Sequence, residues 1–490
     1  MAEPDTDLST PEPTPPTTTI APEELAGLLA HWLPGQRWFA GKGRPFAVEA
    51  VTALGILTER PWRSDVWLVR VGYDDETGGT ETYQVPLVRR PEPADQVAHV
   101  LVGATEDLDY GGRSWWYDAL HDKEVTGAWL AGIAGHRQDG LLEFVPGPAA
   151  EDLPLDASSL VITGEQSNTS LVFDDAAILK VFRRVYPGHN PDIEVHQALG
   201  KLSDGGARHV ARLLGYASAR WTDSDGVAQL ADLAMLQEFF RTASDGWELA
   251  KISIRDLYAE ADLHASEVGG DFAGEAFRLG QATAEVHADL ARALPTGHLT
   301  GAELTELAAQ MAHRLDAALP AVPQLAEYAP GLRAAFAALG AHEAGVPVQR
   351  VHGDYHLGQV LRTSHRWVVL DFEGEPAKPL DERTGLDSPV RDLAGMLRSF
   401  DYAAKQLLAD RPHHPQLTYR ADEWFQRNRD AFLDGYVGSG GRDPRDDEVL
   451  LRAYEADKAV YEAVYEARNR PSWLPIPLAS LARLTEGARS

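Results

Sequence analysis

Residues 352–376 read HGDYHLGQVLRTSHRWVVLDFEGEP, and the fold of the chain is decided around this stretch. Two apolar runs, VL and WVVL, are separated by the polar segment RTSHR, a pattern that predicts two short strands joined by a turn. Asp354 precedes this hairpin and Asp371 follows it directly. Because the strands of a hairpin lie side by side, we expect the two carboxylates to serve one site.

The residue types around the hairpin suit phosphoryl transfer from a nucleotide. Asp354 can orient and deprotonate an acceptor hydroxyl, and Gln359, five residues later, can give an oxygen to Mg²⁺. Asp371 can bridge the metal ions that hold the β- and γ-phosphates, and Mg²⁺ prefers such hard oxygen ligands. His352 and His356 are interpreted as structural residues, with His352 bracing the loop by hydrogen bonds.

The upstream sequence supplies the other parts of a nucleotide site in the order that a kinase requires. Lys180 lies in AAILKVF, a predicted strand, from which it can contact the α- and β-phosphates. Glu194, in the predicted helix NPDIEVHQAL, can hold that lysine. The polar turn GEQSNTS is the candidate cover for the phosphates, and the segment AMLQEFF is the candidate adenine-binding segment. The contact residues expected in these two segments are Ser167, Asn168, Thr169, Gln237, Glu238 and Phe240.

A predicted helix near the C-terminus, DKAVYEAVYEARNRP, carries the candidate binding face for the acceptor. Lys458, Tyr461, Tyr465 and Arg468 recur at helical spacing and therefore share one face, and Trp473 follows just after the helix ends. Aromatic rings offer a flat apolar surface to the C–H face of a sugar ring, and charged side chains can bond its hydroxyls. The alternative is that these rings are ordinary core residues, as aromatic stripes usually are.

The composition excludes several classes of function. The 490 residues include 45 Lys and Arg against 74 Asp and Glu, a net charge of −29, which disfavours binding to nucleic acid or to an anionic membrane. There is no cysteine, so disulfides, thiolate catalysis and cysteine-bound metals are excluded. There is no apolar run of about 18 residues or more, and the first residues lack the pattern of a signal peptide, so we expect a cytoplasmic location.

The order of the predicted elements indicates an α+β protein with a bilobal, protein-kinase-like fold and an extra N-terminal cap module. Residues 1–21 are rich in Pro and Thr and predict a disordered tail. Residues 22–110 form the predicted cap, an antiparallel sheet joined by hairpins. Residues 111–240 form a β-rich nucleotide-binding lobe that begins with a helical stretch around WWYDALHDKEVTGAWLAGIAG, and residues 241–490 form a helical lobe with the catalytic and acceptor-binding residues.

Seven segments together resemble the actinobacterial maltokinases, a branch of the aminoglycoside-phosphotransferase and choline-kinase-like small-molecule kinases. The segments are WLPGQRWFAGK, EQSNTSLVF, ILKVFRRV, NPDIEVH, HGDYHLGQVLRT, DFEGEP and DKAVYEAVYEARNRPSWLPIPL. The resemblance implies phosphorylation of maltose at its anomeric hydroxyl by ATP with Mg²⁺, which gives maltose 1-phosphate for glycogen or α-glucan synthesis. It implies Asp354 as the base, Gln359 and Asp371 as Mg²⁺ ligands, and Lys180 with Glu194 as the pair at the ATP phosphates. It also implies that Lys458, Tyr461, Tyr465 and Trp473 face the sugar.

Three other functions remain open at this point. Related proteins with similar motifs phosphorylate glucosamine, so a glucosamine kinase that makes glucosamine 6-phosphate is the first alternative. A non-catalytic pseudokinase that senses sugar or nucleotide is the second, and an aminoglycoside-modifying enzyme, whose cationic substrates suit an acidic chain, is the third. The expected partners are a small sugar and ATP. We also consider an association of the cap with an enzyme that supplies maltose, and we expect a monomer or a weak oligomer.

Overall fold

The computed structural model describes residues 20–75, 78–107, 112–162, 168–202, 207–223, 226–375, 378–409 and 414–486. Residues 1–19 of the predicted tail therefore lie outside the described ranges. The chain divides into two compact units, of which the first extends to residue 197 and includes 212–241, and the second comprises 198–211 and the residues from 242 onward. Both units contain helices and strands, which confirms the α+β class.

One antiparallel sheet of the first unit is built from the strands β1 (Phe46–Thr58), β2 (Ser64–Tyr73), β3 (Thr80–Arg90), β4 (Leu101–Asp107) and β5 (Gly112–Asp118). They lie in the order β1-β2-β3-β5-β4, and β1, β2 and β3 are consecutive antiparallel neighbours, as predicted for the cap. Helix α1 (Pro22–Trp32) buries Leu25, Leu29 and Trp32 in a core shared with strand residues such as Trp67 and Trp116. Burial of this apolar helix face joins α1 to the sheet.

A second antiparallel sheet of the first unit carries the predicted nucleotide segments. Its strands are β6 (Gln138–Asp139), β7 (Leu142–Pro146), β8 (Ser159–Ile162), β9 (Asn168–Phe173), β10 (Ala177–Phe182), β12 (Leu213–Thr222) and β13 (Ala228–Glu238), while β11 (Arg184–Val185) pairs with β3 of the first sheet. The strand order is β6-β7-β12-β13-β10-β9-β8. Two helices accompany it, α2 (Lys123–Ala134) and α3 (Pro191–Leu199).

The helical interpretation of WWYDALHD was wrong at its beginning. Trp115–Asp118 belong to β5, which pairs with β3 and β4, and helix α2 begins only at Lys123. The side chain of Asp122 caps that helix by accepting the backbone N–H of Glu124. Aromatic residues favour a strand when neighbouring strands are available for pairing, and that pairing is not visible in the local sequence.

The second unit is mainly helical, with α4 (Gly246–Ala259), α5 (Ala273–Ala293), α6 (Gly301–Ala318), α7 (Ala329–Gly340), α8 (Leu380–Arg383), α9 (Val390–Lys405), α10 (Pro415–Gly438), α11 (Glu448–Asn469) and α12 (Pro475–Glu486). Its strands are β14 (Ser244–Asp245), β15 (Thr296–Leu299), β16 (Val346–Gln349), β17 (Val360–Arg362) and β18 (Trp367–Val369). Helix α9 is buried over most of its length and forms the centre of this unit.

Helices α5 and α10 approach each other closely because two glycines lie at their crossing. A Cβ atom at Gly280 would overlap the carbonyl oxygen of Phe432, and one at Gly435 would overlap that of Phe277. Only residues without a side chain permit this backbone approach. None of the helices in the described ranges is both long and apolar enough to cross a lipid bilayer.

The hairpin predicted from residues 352–376 is confirmed. Strands β17 and β18 pair antiparallel, with Val360 opposite Val369 and Arg362 opposite Trp367. The loop that contains Asp354 leads from β16 into β17, and Asp371 comes two residues after the end of β18. The hairpin therefore holds both acidic segments at one end of a small sheet.

Candidate functional site

Asp354 forms an ion pair with Lys458 of helix α11. The Lys458 Nζ lies 3.0 Å from the Asp354 Oδ1, and both side chains are largely buried. The two residues are 104 positions apart in the chain, so the contact arises from the packing of the loop that contains Asp354 against α11. The structure thus brings together the candidate base and the first residue of the candidate acceptor face.

The ion pair with Lys458 favours the ionised form of the Asp354 carboxyl. Burial by itself would raise the pKa of this carboxyl, but the positive charge of Lys458, together with that of His356, outweighs burial and lowers the pKa below its usual value. Burial would lower the pKa of Lys458, yet the charges of Asp354 and Glu375 raise it above the ordinary value. Asp354 is therefore an ionised proton acceptor and Lys458 a permanent cation at neutral pH.

Replacement of Lys458 is expected to change the pH dependence of the reaction. In Lys458→Met, burial becomes the dominant influence on Asp354 and raises its pKa, so the carboxylate is protonated at higher pH. The acid limb of the kcat/KM profile should move upward by at least about one pH unit. Lys251→Met on α4 removes another lysine of the same unit, and the acid limb of its kcat/KM profile should stay at the pH of the wild type. An unchanged limb in Lys458→Met would contradict the assigned role of the ion pair.

Gln359 and Asp371 are brought together as the hairpin predicts. The Gln359 Nε2 donates a hydrogen bond to the Asp371 Oδ2 over 3.1 Å, and carboxylate oxygens of Asp371 and Glu373 lie within 4.8 Å of each other. Asp371 has a left-handed backbone with φ of 66°, a rare conformation for a residue with a side chain and one that concentrates at functional sites. Amide and carboxylate oxygens are hard ligands, so this set of donors fits Mg²⁺.

Asp392, a residue that the sequence analysis missed, holds the loop that contains Asp354. Asp392, fully buried near the start of α9, accepts the backbone N–H groups of His352 at 2.8 Å and Gly353 at 2.9 Å. Its Oδ2 also lies 3.1 Å from the Nε2 of His287. The available signal was an acid in the segment VRDLAGMLRSF, where the helical pattern places neighbouring residues in the core.

His352 connects the two acidic segments, which confirms its predicted structural role. Its Nε2 donates to the carbonyl oxygen of Leu370 over 2.7 Å, and its Nδ1 accepts the N–H of Asp354 at 3.3 Å. Gly353 has φ of 84°, which the turn between these residues requires and which a residue with a Cβ would rarely adopt. Asp354 and the residue before Asp371 are therefore tied to the same imidazole ring.

Lys180 and Glu194 lie on elements that share one face of the second sheet. Lys180 is half-buried on β10, next to Ser170 on β9 and Met235 on β13. Phe182, two residues along the strand and thus on the same face, clusters with Met235 and with Ile193 of α3. Glu194 follows Ile193 on this helix. Ile193 therefore packs α3 against the face on which Lys180 lies.

The other candidate nucleotide-binding residues differ in burial and in position. Thr169 is buried, and its hydroxyl accepts a hydrogen bond from the Arg183 Nε at 2.8 Å. Asn168 is half-buried at the start of β9, whereas Ser167 lies outside the described residues. Gln237 and Glu238 end β13, and half-buried Phe240 follows them.

The aromatic face of α11 is exposed, so the core interpretation of it does not hold. Tyr461 and Tyr465 are 39% and 44% accessible to solvent. The Lys458 Nζ lies 5.0 Å from the centre of the Tyr461 ring. Partial burial of the ring and the neighbouring Glu375 carboxylate raise the pKa of Tyr461 to about 12, so its hydroxyl keeps its proton. The face therefore begins at the Asp354–Lys458 pair and presents aromatic rings beyond it.

Arg470 joins the outer part of this face. Its guanidinium lies 5.4 Å from the ring centre of Tyr465 and 4.3 Å from that of half-buried Trp473. An ion pair of 2.6 Å with the buried carboxylate of Glu466 fixes its position. Trp473 is further held beside Tyr402, with ring centres 6.3 Å apart. The two outer rings are thus connected through a cation.

Two segments of the chain match known protein families. Residues 32–122 match the maltokinase N-terminal cap domain, and residues 264–445 match the phosphotransferase enzyme family. A glucosamine kinase of Streptacidiphilus jiangxiensis is 31% identical over 337 residues, which cover 66% of this chain and 74% of that protein. A glucosamine kinase of Mycolicibacterium smegmatis is 28% identical over 338 residues, which cover 66% of this chain and 79% of that protein.

The fold is shared with a solved structure described as glucosamine kinase in complex with glucosamine, ADP and inorganic phosphate. The TM-score is 0.65 and the identity 24%, over 95% of this chain and 100% of the other. The expected kinase-like fold with an N-terminal cap is confirmed. With a 31% identical relative covered over most of its length, the chain belongs to the phosphotransferase enzyme family and is a small-molecule kinase with a maltokinase-type cap.

Proposed function

We propose that the protein is an ATP- and Mg²⁺-dependent sugar kinase that phosphorylates maltose at its anomeric hydroxyl and yields maltose 1-phosphate for glycogen or α-glucan synthesis. The observation that carries this proposal is the Asp354–Lys458 ion pair, 3.0 Å long, at one end of an exposed aromatic face. An ionised carboxylate provides a proton acceptor, and the aromatic face provides a surface for sugar rings. The matched cap domain and the names of the relatives support a sugar as the acceptor.

The reaction follows from the positions of the side chains in the catalytic loop. The anomeric oxygen of the sugar attacks the γ-phosphorus of ATP, the bond to the β-phosphate oxygen breaks, and ADP leaves. The hydroxyl proton passes to Asp354, which Lys458 keeps ionised until that moment. Phosphate moves directly to the sugar, so no phosphoenzyme forms. Mg²⁺, held by Gln359 and Asp371, would neutralise the charge of the β- and γ-phosphates.

The first unit supplies the proposed contacts to the nucleotide. Lys180, supported by Glu194, would bind the α- and β-phosphates, and the backbone around Asn168 and Thr169 would cover them. The end of β13 and the residues after it would receive adenine through Gln237, Glu238 and Phe240. This assignment follows the order of the segments along the chain and the shared sheet face of Lys180 and α3.

The acceptor face favours a neutral disaccharide over a cationic amino sugar. Tyr461 and Tyr465 are one helical turn apart, about 6 Å along the axis, so their rings can meet two successive sugar rings. Lys458 and Arg470 place positive charges beside the same face. Both cations are already paired with carboxylates, Asp354 and Glu466. The hydroxyls of maltose can accept hydrogen bonds from them, whereas the ammonium group of glucosamine cannot.

Purified protein with ATP and Mg²⁺ should be tested against maltose, glucose, glucosamine and kanamycin, with ADP formation as the measure of rate. We expect maltose to give the highest kcat/KM. Phosphorus-coupled proton NMR should place the phosphate on the anomeric oxygen. Turnover of glucosamine without turnover of maltose would replace the proposal with glucosamine kinase, and turnover of kanamycin alone with an aminoglycoside-modifying enzyme. Binding of ATP and sugar without any transfer would indicate a pseudokinase.

Arg470→Gln is expected to change acceptor preference more than folding. The substitution removes a positive charge between Tyr465 and Trp473, so the ratio of kcat/KM for glucosamine to kcat/KM for maltose should rise by about three-fold, the size expected of an exposed charge. Arg255→Gln removes an exposed arginine of α4 that has no assigned role and serves as the control, with no change in the ratio. A ratio that rises equally in both variants would contradict a specific role for Arg470.

A further inference from the structure

A cavity of about 930 Å³ lies in the second unit and contains none of the residues assigned above to transfer or to the acceptor. Its volume falls in the range of small-molecule sites, about 300–1,000 Å³. The walls come from α5, β16, the beginnings of α9 and α11, and the end of α10 with the turn that follows it. It therefore has the dimensions of a ligand site without a function in the proposed reaction.

The inner walls are apolar and made largely of small side chains. On α5, Ala284, Ala288 and Ala291 recur at intervals of four and three residues, so their methyl groups form one wall. Val346 of β16, Leu393 of α9 and Leu450 of α11 line the same space. Alanine methyl groups on the helix leave the room that a flat apolar body needs.

The mouth of the cavity carries an excess of negative charge. The turn into α11 contributes Asp443, Asp446, Asp447 and Glu448 against Arg442 and Arg445. Arg445 is neutralised by Asp443 and by Asp434, each 2.8 Å away, and Asp447 lies 3.2 Å from His342. Asp446 and Glu448 are exposed. Besides Arg445, the arginine that lines this cavity is Arg442. This mouth attracts an amine or amidine and repels a carboxylate or phosphate.

The inner end of the cavity is lined by a residue that contacts Asp392, and Asp392 holds the loop that contains Asp354. His287, only 5% accessible, lines the cavity and lies 3.0 Å from the Tyr436 hydroxyl and 3.1 Å from Asp392. Asp392 in turn holds the backbone N–H groups of His352 and Gly353, directly before Asp354. A molecule that contacts His287 and Tyr436 therefore acts on the residues that position the loop.

We propose that this cavity binds a small organic cation with an aromatic or apolar body, and that its occupant alters phosphoryl transfer through His287 and Asp392. The binding site itself is independent of the proposed function, whereas the effect on rate rests on it.

Benzamidine, benzamide and benzoate form a test series, because they share one ring and carry positive, neutral and negative charge. Binding is measured by saturation-transfer NMR on the full chain, and phosphoryl transfer by ADP formation. Ala288→Trp fills the cavity from an exposed position on α5, and Ala309→Trp, an exposed alanine of α6 outside the cavity, is the control. We expect benzamidine to bind the wild type and Ala309→Trp, and to bind Ala288→Trp at least about ten-fold more weakly. Benzoate should not bind.

Saturating benzamidine should change the rate of the wild type at least two-fold and leave the rate of Ala288→Trp unchanged. Equal benzamidine binding to both tryptophan variants, benzoate binding as strong as that of benzamidine, or no benzamidine binding to the wild type would each overturn the site. Binding without a change in rate would overturn the coupling to the loop. If the wild type transfers no phosphate to any sugar, the proposed function fails, and the binding measurements still decide the site.

Discussion

Asp354→Asn is expected to lower kcat by about 10²–10⁴-fold, the contribution typical of a positioned general base. Asparagine keeps the size of the side chain and an oxygen for the Lys458 ammonium group, but it cannot take the proton of the attacking hydroxyl. The KM for ATP should remain near that of the wild type, because Asp354 is assigned to the acceptor. Steady-state kinetics with maltose and ATP give both parameters.

The matched control for this substitution is Asp430→Asn, which changes an exposed acid on α10. Its kcat should equal that of the wild type, and thermal melts should give all three proteins similar Tm values. Phosphoryl transfer by Asp354→Asn within about two-fold of the wild type would remove Asp354 as the base. A loss of activity accompanied by a large fall in Tm would point instead to a structural role of the residue.

The second large effect is expected from Asp392→Ala. The free energy of unfolding should fall by about 3–5 kcal/mol, because the substitution leaves His287 and two buried backbone N–H groups without their carboxylate partner. The kcat should fall as well, because the loop of Asp354 loses its attachment to α9. Urea denaturation and steady-state kinetics on the same preparations measure the two effects.

The contribution of Asp392 to stability depends on pH in a definite direction. Burial alone would raise the pKa of its carboxyl, but the hydrogen bond and charge of His287 and the N–H of Gly353 lower it below the usual value. A carboxylate with a depressed pKa stabilises the fold above its unfolded pKa, about 3.9, and that stability is lost as the pH falls through the folded value. The difference between wild type and Asp392→Ala should therefore be full near neutral pH and shrink in strong acid.

Asp392→Asn provides a milder variant in case the alanine variant is too unstable to purify. Asparagine keeps one oxygen that can accept an N–H, so its loss of stability should lie between zero and that of Asp392→Ala. Equal stability of wild type and both variants would contradict the role assigned to this residue.

Local patterns in the sequence were sufficient to predict the hairpin of β17 and β18 and the helical face of α11. The hairpin is recognisable because two apolar runs flank a polar turn, and the register of β17 and β18 then brings Gln359 to Asp371. The periodicity of Lys458, Tyr461 and Tyr465 predicts that they share a face, but it does not reveal whether that face is buried. The exposure of the two tyrosines became evident only when the neighbouring helices were in position.

The predictions on nucleotide contacts, on an association of the cap with a maltose-supplying enzyme, on oligomeric state and on cytoplasmic location stay predictions. Among the nucleotide residues, Thr169 is buried and its hydroxyl accepts a hydrogen bond from the Arg183 Nε. Arg183 lies just after β10, the strand that pairs with β9, and Asp118 of β5 holds its guanidinium, so this contact depends on packing that the residues around Thr169 do not show. No local pattern around residues 164–170 contained that information.

Residue types, spacing and periodicity were enough to assign a phosphoryl-transfer chemistry and most of the elements that carry it, because these features act over a few neighbouring residues. Partners 40 to 104 positions apart, such as Asp392 with the His352 backbone and Lys458 with Asp354, were decided by the packing of α9 and α11 around the loop that contains Asp354. The same packing decided the charge of Asp354, since the pKa of a buried carboxyl depends on which cation folding brings to it. The alanine-lined cavity also results from the way the helices pack, because its walls come from helices that are far apart in the sequence.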